Sequence, residues 1–215
     1  MGPDWQPLGK PRHGHEVEFD ALYEELVRSK DVDSSIWDRF AKIEISPYET
    51  LGAPRVGTDA EAGRWALLEY RNRPWRKLFV SRRKWMKVFN GYYVLDLVPR
   101  NDGIPAYSNG GRGSYCEVFS FRGKFLELCN DLLSEELLGE AWTHHTAAEL
   151  MDYGARLHDR AVAYAEMHRV TEVLASRDPP REELEEPSSQ AHIVISAARW
   201  CQFWGGRGHG MVADF

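Results

Sequence analysis

One unbroken helical stripe dominates this chain. From Thr143 to Ala175 there is no proline, and Leu150, Tyr153, Leu157, Ala161, Tyr164 and His168 recur at helical spacing. A stripe of that kind is stable when its apolar face lies against other elements. Several other segments share the period. Val17, Phe19, Leu22, Tyr23, Leu26 and Val27 make 16–30 an acidic amphipathic helix. A second helix starts at Asp33 or Ser34, carries Ile36, Trp37, Phe40 and Ile43, and stops by Pro47. Thr58 or Asp59 caps a third, through Tyr70, which Pro74 kinks or divides. The pattern resumes from Trp75 to about Asn90, with Trp75, Leu78, Phe79, Trp85 and Phe89 on one side.

A further helix is expected over roughly 115–133, weakened by Gly123, and a short one follows from Ser134 through Leu138. The last covers Gln190 to about Trp204 and buries Ile193, Ile195, Ala198, Trp200 and Cys201. Together these predict an all-α bundle of six to seven helices with room for one short β-hairpin. The alternative is α+β, resting on residues 92–98 and 115–121, which also suit strands. The expected organisation is a single domain over 16–204 that includes a charged, Pro-bounded loop at 177–189. Residues 1–15 are read as a flexible N-terminus and 205–215 as a flexible Gly-rich tail.

Charge is unevenly spread. The chain carries a net −6, yet residues 71–87 hold eight Lys and Arg and no acid. Arg76, Lys77, Arg83, Lys84 and Lys87 would form the outer face of that helix, and with Arg82 they are the candidate nucleic-acid contacts. With Trp75, Phe79 and Trp85 interleaved, the block is one candidate for single-stranded nucleic acid. The net charge argues against general nucleic-acid affinity. In the opposite sense, Glu127 to Asp152 contains seven acids and no Lys or Arg, and 178–186 has five acids and one Arg. Asp131, Glu135, Glu136, Glu140, Glu149, Asp152, Glu182, Glu183, Glu185 and Glu186 are therefore the candidate contacts for a basic protein partner.

Catalytic signatures are missing. His145 and Glu149 share a helix face, and with His144 and His158 they are the set a helical metal-dependent enzyme would use. However, neither H-E-x-x-H nor paired Glu-x-x-His is present, so no metal, cofactor or catalytic residue is expected. Cys116, Cys129 and Cys201 lack ligand spacing and read as reduced, mostly buried thiols. There is no apolar signal core and no run long enough to span a membrane, so the expectation is a cytoplasmic protein.

In parts, the chain resembles the immunity proteins of bacterial polymorphic-toxin systems. The likeness rests on Trp85 followed by Gly91-Tyr92-Tyr93, on Phe121-Arg122-Gly123-Lys124-Phe125, and on the helix from Trp142 to Tyr164. It spans residues 34 to 170. The resemblance implies a function by binding, in which a cognate toxin domain is occluded and self-killing prevented. It carries over no catalytic residue.

Overall fold

A computed structural model describes residues 3–28, 34–72, 81–108 and 119–214. Helix predominates, with two small antiparallel sheets. The helices are α1 (Glu16–Arg28), α2 (Ser34–Ile43), α3 (Pro47–Thr50), α4 (Ala60–Asn72), α5 (Arg82–Phe89), α6 (Glu135–Glu140), α7 (Ala147–His168) and α8 (Pro187–Gly205). The strands are β1 (Asp4–Pro7), β2 (Lys10–Pro11), β3 (Glu44–Ile45), β4 (Phe121–Arg122) and β5 (Met211–Asp214).

The central unit is the antiparallel pair α7 and α8. The α7 stripe is buried from Leu150 to Tyr164, with Leu150, Tyr153, Leu157 and Ala161 fully covered, whereas His168, expected on the same face, is exposed in the last turn. Thr146 and Glu149 close a capping box at its start: the Thr146 hydroxyl accepts from the Glu149 N–H, and the Glu149 carboxylate accepts from the Thr146 N–H at 2.8 Å. Arg169, at φ 59°, ends the helix earlier than the sequence pattern indicates, and a 3-10 turn (Thr171–Ala175) follows. Gly154 lets the two helices approach closely: a Cβ there would stand 2.8 Å from the Cys201 Cβ and 3.2 Å from the Ala198 carbonyl.

Two segments expected to be loose instead complete the core. β1 is the middle strand of the sheet β4-β1-β5, with Trp5 opposite Phe121 on one side and Ala213 on the other. Trp5 is fully buried. Its indole donates to the Ala141 carbonyl at 2.8 Å, and its ring meets Phe121, Tyr153 and Trp200. The 205–215 tail becomes β5, tied also to the start of α7 by reciprocal bonds between Met211 and His145. Period-two alternation turns Trp5, Pro7, Met211 and Ala213 inward. The second sheet pairs β2 with β3.

Among the described residues of 92–98 and 115–121, the two stretches that suit strands, only Phe121 joins a named strand, β4; residues 115–118 lie outside the described residues. Residues 92–98 form an isolated bridge from Tyr93 to Arg55 and then a 3-10 turn (Leu95–Leu97). Val94 and Leu95 are buried consecutively, unlike the in–out alternation of a strand covered on one face. The helix expected over 115–133 is replaced, in its described part, by β4 and a 3-10 helix (Gly123–Leu128). Gly123 lies under β1, where a Cβ would be 2.8 Å from the Pro3 carbonyl. Two further clusters sit beside the main core: α1 with α2 through Phe19, Leu22, Leu26, Ile36 and Phe40, and α4 with α5 through Ala62, Ala66, Trp85 and Phe89.

Candidate functional site

The ten acidic candidates separate into groups with different environments. Glu140, Glu149 and Asp152 line one open cleft with Thr143, His144, His145 and Arg156. Arg156 forks onto both Glu140 oxygens, one contact being 2.6 Å, and its Nε donates to Asp152 at 2.9 Å. That guanidinium holds the Glu140 carboxyl below the usual carboxylate range. Glu149 is lowered too, chiefly by the backbone N–H it accepts in the capping box. These three acids are therefore already engaged inside the fold.

Glu182, Glu183, Glu185 and Glu186 are different. All four are exposed and make no ion pair among the described residues. Their backbone is held: the Ser189 hydroxyl donates to the Glu182 carbonyl, the Gln190 amide donates to the Glu185 carbonyl, and Pro187 starts α8 directly behind. The α8 N-terminus itself favours negative charge here. Gln190 also accepts from the Tyr164 hydroxyl at 3.1 Å. Asp131, likewise exposed, acts electrostatically on Tyr164 and so belongs to this end of the molecule. Asp152 and Tyr164 are twelve residues apart on α7, about 18 Å along the axis. Glu135 and Glu136 are exposed in the first turn of α6, which Ser134 caps.

The histidines do not assemble a metal centre. His145 Nε2 donates to the Glu140 carbonyl at 2.9 Å, and its ring stacks on Tyr153. His144 Nδ1 accepts from the Ala213 N–H, and burial lowers its pKa. His158 lies eleven residues into α7, about 17 Å of rise from its start, beside exposed Asp159. Among the described residues no group of three or more His, Cys, Asp or Glu could hold a metal ion.

In the basic block, Arg82, Arg83, Lys84 and Lys87 are exposed on α5, while Trp85 and Phe89 are buried. The Trp85 indole donates to the Ala66 carbonyl at 2.9 Å, so that ring is turned away from any ligand. Arg76 and Lys77 lie outside the described residues, as do Trp75, Leu78 and Phe79. Cys129 and Cys201 are free and buried, and burial pushes the Cys129 thiol up to about 12. Cys116 lies outside the described residues.

Two groups were not singled out by the sequence reading. Arg156 pairs with two of the three cleft acids, Glu140 and Asp152, and a pattern signal existed, since it stands four residues after Asp152. A second cluster, Arg100, Arg177 and Arg199, converges on a small cavity from three separate segments. Nothing in their spacing announces it.

No helix among the described residues is long and apolar enough to cross a membrane. No family model matches the chain, and no curated protein or solved structure matches it.

Proposed function

We propose that this chain is a binding protein whose partner-facing surface is the acidic segment Glu182, Glu183, Glu185 and Glu186, extended by Asp131. The observation that carries the reading is the contrast in charge use. The cleft acids are spent on Arg156 and on a helix cap, whereas the 182–186 carboxylates face solvent on a fastened backbone. Exposed charge held in place accelerates encounter with a basic surface and needs little ordering on contact. The partner is a basic protein. In line with the resemblance to immunity proteins, it is a cognate toxin domain, neutralised in the cytoplasm by occlusion. Nucleic-acid binding through α5 is the weaker reading, because Trp85 and Phe89, the described rings of that segment, are packed into the core and are not free to stack on bases.

The test is capture from the source strain by the immobilised chain, at low and at high salt. A basic protein should be retained at low salt, released at high salt, and lost when Glu182, Glu183, Glu185 and Glu186 are all changed to Lys. That protein, expressed alone in a host cell, should arrest growth, and co-expression of the chain should restore it. Salt-independent capture that the fourfold variant leaves intact removes the acidic segment from the proposal.

A further inference from the structure

Next to the start of the 178–186 segment, three arginines meet at one small cavity. Arg100, Arg177 and Arg199 line it with Asp102, Asn101 and Ser196, and its volume is about 30 Å³. That is room for roughly two water-sized groups, far less than a nucleotide. Each guanidinium is oriented by the fold. Arg199 donates through Nη1 to the Ser176 carbonyl at 2.7 Å and through Nη2 to the Leu174 carbonyl. These carbonyls end the 3-10 turn, so Arg199 makes no ion pair with a carboxylate among the described residues. Arg177 forks onto Asp102 at 2.8 and 3.3 Å. Arg100 pairs with Asp178 at 2.7 Å, but both side chains are largely exposed, and such a pair holds weakly.

The local balance is three guanidiniums against Asp102 and Asp178, an excess of positive charge in a protein of net −6. Donors remain available: the Nε–H of Arg199 and the Nη1 of Arg177 have no partner among the described residues. The Asn101 carboxamide accepts from the Gly103 N–H and donates to the Pro99 carbonyl, which stiffens the loop carrying Arg100. One turn before Ser196 on the same face of α8, His192 is fully buried. Its Nδ1 meets the Tyr107 hydroxyl at 2.8 Å. Its Nε2 is buried without a hydrogen-bond partner among the described residues. The polar complement of this corner is thus incomplete within the protein.

We propose that Arg100, Arg177 and Arg199 form a binding site for a small tetrahedral oxyanion, either inorganic phosphate or the phosphate of a small phosphomonoester. Planar forks presenting several N–H groups to one point match the oxygens of that group. Binding would join the 99–103 loop, the segment after the 3-10 turn and the middle of α8. The site is independent of the acidic-segment reading.

Inorganic phosphate is titrated into the full chain at constant ionic strength, with chloride as the control, by calorimetry and by melting temperature. Saturable binding near the millimolar range is expected, with a rise in melting temperature that chloride does not give. Arg100→Gln, at an exposed position, should fold normally and weaken phosphate about tenfold, the loss of one charge-assisted contact. Arg177→Gln should weaken it at least as much. Glycerol phosphate in a parallel titration separates the two sources: equal or tighter binding identifies a phosphomonoester, and exclusion identifies free phosphate. A response to phosphate no larger than to chloride, or one that both variants retain in full, overturns the proposal.

Discussion

Replacing Gly154 by Ala pits helix propensity against helix contact. In an exposed helix interior the change stabilises by up to about 1 kcal/mol, because Ala loses less backbone freedom on folding. At Gly154 the new Cβ would lie 2.8 Å from the Cys201 Cβ and 3.2 Å from the Ala198 main-chain oxygen, and neither is the free end of a flexible side chain. The α7–α8 contact must open by several tenths of an ångström along a face where Leu150, Leu157, Ala198 and Trp200 are fully buried. Overpacking of this kind costs about 1–3 kcal/mol, which outweighs the propensity gain. For a domain of this size each kcal/mol moves the melting temperature by about 2–4 °C. Gly154→Ala should therefore melt several degrees below the parent. Gly63, inside α4, is the internal control, since a Cβ there meets nothing within 4 Å. Gly63→Ala should melt above the parent. The measurement is thermal and urea unfolding of all three proteins side by side. If Gly154→Ala is as stabilising as Gly63→Ala, the close approach of α7 and α8 is not what limits that position.

Two further outcomes follow from the segment around β5. His209 is fully buried, with Nδ1–H donating to the Leu8 carbonyl at 2.8 Å and Nε2 accepting from the Thr50 hydroxyl at 2.7 Å, and burial holds its pKa down to about 4. The unfolded chain takes up this proton near pH 6.5 and the folded chain does so only near 4, so stability should fall as pH drops through that window, by up to roughly 3 kcal/mol. His144 and His192 are lowered as well and act in the same direction. His209→Asn should flatten the slope of urea midpoint against pH between 4 and 6.5, and an unchanged slope would refute the assignment. Removing residues 206–215 strips β5 from β1 and uncovers Trp5, so the truncated chain should lose several kcal/mol and its tryptophan fluorescence should shift to the red. Unaltered unfolding would show that β5 contributes nothing.

The helices were legible where a single segment carries both its period and its punctuation. α7 shows a clean stripe and an S/T-x-x-E box at Thr146 and Glu149. α6 follows Ser134, and α8 runs over the expected apolar run with Pro187 at its start. What escaped was pairing between distant segments. β1 reads as loop because Pro3, Pro7 and Gly9 punctuate it, and β5 follows a Gly-rich stretch; each becomes a strand only because the other is present. Gly123 looked like a flaw in a helix, whereas its bare Cα makes room for Pro3 and Trp5. The same limit applies to the candidate sites. Acidic density was visible in the sequence, but which acids are consumed by Arg156 was not, because Glu140 and Arg156 meet across two helices. The arginine cavity draws on three segments with no shared motif.

The middle strand of the sheet carries a consequence for biosynthesis. Trp5 leaves the ribosome long before Ala213, its partner in β5; at 5–20 residues per second the interval is about 10–40 s. Throughout that time β1 holds an unpaired strand edge on its β5 side, which attracts chaperones and neighbouring chains. Completion of the core is thereby coupled to translation of residues 211–214, and a product stalled before them would stay adhesive and open to proteolysis.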